Sequence, residues 1–186
     1  MPSSQAANRT ADVPAIPTPT TAAVFGEFAG FAWRVLRRLG VPDADADDVL
    51  QEVFVTVHRK LPGFEGRSSV RTWLYGICVR VASDYRRRAR ARRETLSEVA
   101  AEPAIEPGQE EHVATAQARV LLDSILDGLD DAKRAVFVLY EIEELSMGDV
   151  AAALECPVQT AYSRLHAARR EVETAVAQLR ERGRSP

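Results

Sequence analysis

The chain has 186 residues, 46% of them apolar, which allows one medium domain or two small ones with packed cores. Its 24 basic and 27 acidic side chains leave a net charge of −3, and its two cysteines, Cys78 and Cys156, lie far apart with no CxxC or Cys/His cluster, so zinc is not indicated and both read as small buried residues. No run approaches the roughly 18 apolar residues of a membrane span, and the first residues lack the positive end and apolar middle of a signal peptide, so a cytoplasmic protein with no membrane insertion is expected.

Residues 1–21 are Ser, Thr, Ala and Pro with few large apolar side chains, and they read as a disordered tail. From Val24 to Leu39 the apolar positions 24, 25, 28, 31, 32, 35, 36 and 39 describe a helix ended by Gly40, with Pro42 beyond it. A second helix starts near Asp43, where an acid-rich first turn suits the helix dipole, and carries Val49, Leu50, Val53, Phe54, Val57 and Leu61 inward. Pro62 and Gly63 break it and open a loop through Phe64, Glu65, Gly66 and Arg67. The third helix begins at Ser68 or Ser69, with Val70, Trp73, Leu74, Ile77 and Val81 as its stripe. It runs into a basic block, since residues 71–93 carry eight arginines against one acid, Asp84. Residues 94–118 then hold six glutamates and no Lys or Arg, and 94–111, with Pro103, Pro107 and Gly108, read as a flexible acidic linker. Charge that alternates along a chain in this way offers different surfaces to different partners.

The second half, 112–180, opens with Val120, Leu121, Ile125 and Leu126 on one helix and Val136, Leu139 and Ile142 on the next. Ser146 and Asp149 then form a capping pair at the start of a short helix that turns Val150, Ala151 and Leu154 inward. The turn is Glu155-Cys156-Pro157, and a further helix begins near Val158, with Pro157 suited to its first position. Along it Ala161, Leu165, Ala168, Val172, Val176 and Leu179 make one apolar stripe. Gln159, Tyr162, Ser163, His166, Arg169 and Arg170 face outward with Thr160 and Arg164 on the flanks, a mixture of base-edge hydrogen-bonders and phosphate-binding cations on a helix-turn-helix. Residues 181–186 form a tail. With no alternating strand pattern anywhere, the expected fold is all-α: two small helical domains, 22–93 and 112–180, joined by the linker, the second a helix-turn-helix domain.

Two blocks carry a family resemblance. Residues 45–93 contain an Asp-x-x-Gln-Glu-x-Phe core and a Thr-Trp-Leu-Tyr helix, and residues 129–170 end on Ser-Arg-Leu-x-x-Ala-Arg. Together they resemble regions 2 and 4 of the extracytoplasmic-function group of bacterial sigma-70-type factors, over roughly residues 22–180. The resemblance implies a promoter-specificity subunit whose partners are core RNA polymerase, promoter DNA and an anti-sigma factor, with no cofactor. It implies a polymerase-binding face at Asp48, Gln51 and Glu52, whose spacing puts all three on one side of the helix. It assigns the minus-ten element to Phe64 for stacking, Arg67 and Arg71 for phosphates, Ser68 and Ser69 for hydrogen bonds, and Arg80, Arg87 and Arg88 on the following helix. The minus-thirty-five element falls to Gln159, Thr160, Tyr162, Ser163, Arg164, His166, Arg169 and Arg170. The chain departs from the common family pattern at Gly76, Arg80, Glu155 and Tyr162, so neither promoter element can be copied from relatives.

No constellation points to catalysis. His58, His112 and His166 are scattered, and there is no Ser-His-Asp set, Gly-rich phosphate loop or metal-ligand cluster. The main alternative is a helix-turn-helix regulator that acts without joining polymerase, which predicts duplex binding by the isolated chain. An enzyme with an accessory DNA-binding tail is a third reading.

Overall fold

The computed structural model describes residues 19–96 and 110–182, so the tail read over 1–21 and the linker read over 94–111 lie outside the described residues except at their edges. Helix α1 (Thr21–Arg38) starts where the Thr20 hydroxyl accepts from the Ala23 backbone N–H at 3.2 Å, a cap set inside the stretch read as tail. Gly40, at φ +91°, ends it and turns the chain into α2 (Asp43–Lys60). A short 3-10 turn at Leu61–Gly63 follows, and the Ser69 hydroxyl accepts from the Thr72 N–H at 3.0 Å to open α3 (Val70–Leu96). Then come α4 (Glu110–Asp127), α5 (Asp131–Phe137), a wide π-type turn at Val138–Ile142, α6 (Met147–Ala153) and α7 (Val158–Arg182). The caps of α5 and α6 are side-chain oxygens of Asp130 and Ser146, each accepting from the N–H three residues on.

Helices α1, α2 and α3 bury Leu36, Val53, Val57, Leu74 and Ile77 among themselves, while α5, α6 and α7 bury Val136, Val150, Ala161, Leu165 and Ala168. These two groups belong to one contiguous core, because α3 is covered from two sides. One stripe was expected on α3. The structure also buries Thr72, Tyr75, Gly76, Cys78 and Ala82 besides Leu74 and Ile77, since α6 packs on α3 at Thr72 and Gly76 in addition to α1, where Phe31 meets Tyr75, and α2. The opposite error occurs on α4, where Val120 and Leu121 were expected inward and are exposed. Its packing onto α7 comes later, around Ile125 and Leu126, with Leu129 just beyond the helix. Phe25, expected in the α1 stripe, is likewise exposed apart from an edge-on contact with Phe54 at 4.7 Å between ring centroids.

Cys78 sits at the centre of this core, and burial pushes its thiol pKa up to about 12. A thiol that remains protonated and closed off is a poor nucleophile. Iodoacetamide should therefore leave Cys78 unmodified in the native chain and alkylate it on denaturation. Mass-spectrometric mapping of both cysteines checks this, and rapid native labelling of Cys78 would contradict the packing of α3.

Candidate nucleic-acid interface

The outward face of α7 follows from its stripe. Ala161, Leu165 and Ala168 are buried, which turns Gln159, Tyr162, Ser163, His166, Arg169 and Arg170 to solvent, with Thr160 and Arg164 half-buried at the flanks. Tyr162, Leu165, His166, Arg169, Arg170 and Glu173 line a shallow groove of about 320 Å³. Two of the eight side chains are already engaged. Arg169 reaches Glu141 at 2.6 Å and lies 5.7 Å from the centroid of the Tyr140 ring, and Ser163 donates to the Gln159 carbonyl at 3.0 Å.

On α2, Asp48, Gln51 and Glu52 are exposed and share one side. Glu52 pairs with Arg88 at 2.8 Å, which ties the arginine run back onto the acidic face. That carboxylate's hydrogen bond and charge raise the Arg88 pKa. Sequence reading missed Val55, 48% exposed and placed three, four and seven residues after Glu52, Gln51 and Asp48. Its signal was there to find, as the one β-branched apolar residue of α2 outside the buried stripe.

The candidate minus-ten residues are not gathered on one face. Phe64 packs against Trp73, with centroids 5.1 Å apart, so it is a half-buried part of the loop's own contacts. Arg67 pairs with Glu65 in the same loop, Ser69 is the cap of α3, and Ser68 donates weakly to the Ser69 carbonyl at 3.4 Å. Arg71 lies 4.9 Å from the Phe31 ring centroid, and its guanidinium donates to the Tyr75 hydroxyl at 3.4 Å. Arg80 pairs with Glu155 at 2.8 Å, and Arg87 with Asp84 at 2.8 Å.

The contacts between the two halves converge on a network no spacing argument anticipated. Glu143, 7% exposed at its side chain, accepts from the Tyr75 hydroxyl at 2.7 Å and is paired with Arg38. Burial, then the Glu143 carboxylate, drives the Tyr75 pKa far above its ordinary value, so the phenol remains a donor. The Thr72 hydroxyl donates to Asp149 at 3.3 Å, and Arg86 pairs with Asp131 at 3.1 Å. Among the described residues no three His, Cys, Asp or Glu gather to hold a metal ion, and no helix is long and apolar enough to cross a membrane.

Comparison with known proteins finds two family models that match the chain. The family model described as sigma-70 region 2 matches residues 24–92, and that described as sigma-70, region 4 matches residues 119–172. The chain is 32% identical over 162 residues to the ECF RNA polymerase sigma-E factor of Haemophilus influenzae, covering 81% of this chain and 82% of that one. It is 34% identical over 149 residues to the factor of the same name from Escherichia coli, covering 75% and 78%. In fold it is similar to the sigma factor RpoE of Bartonella quintana, solved in complex with the anti-sigma factor NepR, with a TM-score of 0.65, 21% identity, and coverage of 82% of this chain and 94% of that one.

Proposed function

The chain belongs to the extracytoplasmic-function sigma factors of the sigma-70 family, the promoter-specificity subunits of RNA polymerase, and we propose that it divides that work between residues 22–93 and 112–180 across a linker at 94–111. In this reading Asp48, Gln51 and Glu52 dock on core polymerase, and Val55 adds an apolar contact at the C-terminal end of their face. Arg67, Ser68, Arg71, Arg80, Arg87 and Arg88, with the Phe64 loop, hold the minus-ten strand. The outward face of α7 reads the minus-thirty-five duplex. The observation that carries the proposal is that face: six polar or cationic side chains turned to solvent by three buried ones on a capped helix-turn-helix. The chain supplies no catalytic chemistry of its own, works in the cytoplasm with its polymerase, and is held in check by an anti-sigma factor. Transcription from genomic fragments by core polymerase, with and without the purified chain, tests it. New start sites that depend on the chain are expected, and duplex binding with no recruitment of polymerase would favour an ordinary regulator.

Within α7 the labour divides by chemistry. Arg164, Arg169 and Arg170 meet phosphates, while Gln159, Tyr162, Ser163 and His166 lie nearer base edges, with Tyr162 able to touch a thymine methyl or donate one hydrogen bond. Removing Arg169 should weaken all promoters alike and lower the salt slope by about one, whereas Tyr162→Ala should cost about 1–3 kcal/mol and relax preference at one position. Binding to a randomised minus-thirty-five library measures both. An altered preference in Arg169→Ala with none in Tyr162→Ala would reverse the assignment.

A further inference from the structure

Arg164, Arg169 and Arg170 are assigned together to phosphates, yet one of them is held differently from the rest. Among the described residues Arg169 is the one of the three paired with a carboxylate. Its Nε donates to Glu141 Oε1 at 2.6 Å, and its Nη2 approaches the same oxygen at 2.6 Å. The ring of Tyr140 stands against the guanidinium, 5.7 Å from centroid to Cζ, within reach of a cation–π contact. Both partners come from the wide turn at Val138–Ile142, closed by the Glu143 N–H on the Val138 carbonyl at 3.0 Å. Turns of this π type are rare overall and frequent at functional sites.

A carboxylate at this place works against binding a polyanion, because it repels phosphates and offsets the charge that Arg169 brings. Stability does not account for it, since the Arg169 side chain is 50% exposed and an exposed ion pair contributes little. What the pair supplies is direction. A free arginine side chain follows a phosphate wherever the duplex happens to sit, whereas a donor fixed in space sets the register of the protein on the DNA. The bonds to Glu141 use Nε and Nη2, so the Nη1 end of the planar fork is left to face a phosphate.

We propose that Glu141, backed by the Tyr140 ring, is a positioning residue that aims Arg169 at one phosphate beside the minus-thirty-five element, giving up non-specific affinity for register and so sharpening the choice of promoter over other DNA. The proposal rests on the assignment of the α7 face to the minus-thirty-five duplex. Glu141 acts through Arg169 and touches no base, so the bases preferred at each position stay the same when it is changed. What changes is the ratio between affinity for a selected duplex and affinity for an unselected one.

The test uses holoenzyme assembled from the full chain and core polymerase, bound to duplexes randomised at the minus-thirty-five positions over a range of salt. Affinity for the sequences that the wild type selects is compared with affinity for the unselected pool. Glu141→Ala and Glu141→Gln remove the same charge, so both should bind the unselected pool more tightly, but Gln keeps an acceptor at the same reach. The ratio of selected to unselected affinity should fall by roughly two- to fivefold in Glu141→Ala, the range that an exposed pair can bias, and by less in Glu141→Gln. In an Arg169→Ala background, Glu141→Ala should leave the ratio unchanged, because the donor it aims is gone. A ratio that survives Glu141→Ala, that falls equally in the Ala and Gln variants, or that falls as far without Arg169 overturns positioning. A wild type that selects no sequence overturns the proposal as well, through the assignment of α7 on which it rests.

Discussion

Replacing Asp48 and Glu52 together by Arg should reduce co-purification of the chain with core RNA polymerase to background. Both carboxylates are exposed on one side of α2, and no ion pair engages Asp48 among the described residues. An acidic face that meets a basic surface gains its specificity from charge complementarity, and like charges placed opposite one another across an interface are unfavourable by several kcal/mol. A double reversal should therefore weaken association by at least about a hundredfold, about 3 kcal/mol. Surface substitutions away from the core usually change stability by within about 0.5 kcal/mol, so helicity and melting should be nearly unchanged. One local exception is foreseeable, because an Arg at position 52 would face Arg88, its present partner. Asp48→Arg alone avoids that repulsion and should still lower affinity, by a smaller factor. Val55→Ser gives an independent check, since it removes an exposed apolar contact without altering charge. Wild-type recovery of polymerase by the Asp48/Glu52 double variant would remove α2 from the docking surface.

What the sequence made legible was local. Gly40 and Ser146 marked a helix end and a helix start because each acts through backbone bonds within a few residues, and the structure places both where their chemistry requires. The outward face of α7 was legible for the same reason, one helix with one clean stripe. The contact between the halves was not. Gly76, Arg80 and Glu155 stood out individually as unusual residues, but Arg80 and Glu155 are 75 positions apart and nothing in their spacing says that they touch. A period of 3.6 identifies the side of a helix that is apolar enough to bury, and α3 shows how this fails when a second element covers a side built from Thr72, Gly76 and Arg80. On α4 the failure is reversed, since Val120 and Leu121 have the pattern of buried residues and are exposed among the described residues. Phe64 shows the same limit within one loop, since its ring contact with Trp73, nine residues away, is not given by any spacing in the sequence.

Gly40→Ala should destabilise the whole chain by about 3–5 kcal/mol, through two penalties that a double-mutant cycle can separate. The first is backbone strain. At φ +91° a residue with a Cβ is disfavoured by about 1–3 kcal/mol. The second comes from the other half of the chain. A Cβ at Gly40 would stand 2.7 Å from Nη1 and 2.8 Å from Cζ of Arg134, whose guanidinium has almost nowhere to move. Arg134 is 1% exposed, its Nε donates to the Arg38 carbonyl at the end of α1 at 2.8 Å, and its Nη1 donates to Asp127 at 2.5 Å. Pushing it aside weakens bonds to a charged donor, each contributing about 1.5–3 kcal/mol, and leaves a cation in the core without full compensation. Arg134→Ala should itself lower stability, by about 3 kcal/mol, through lost packing and hydrogen bonds. It strands no buried carboxylate, because the Asp127 side chain is 66% exposed and can hydrate. With Arg134 gone, Gly40→Ala has only the backbone term left to pay, so its effect should fall to about 1–3 kcal/mol. Urea unfolding of the four chains measures the coupling. Because Gly40 belongs to the α1–α2 turn and Arg134 to α5, the loss should appear in probes on both halves. An equal effect of Gly40→Ala in both backgrounds would show that the guanidinium yields freely and that this contact does not hold the halves together.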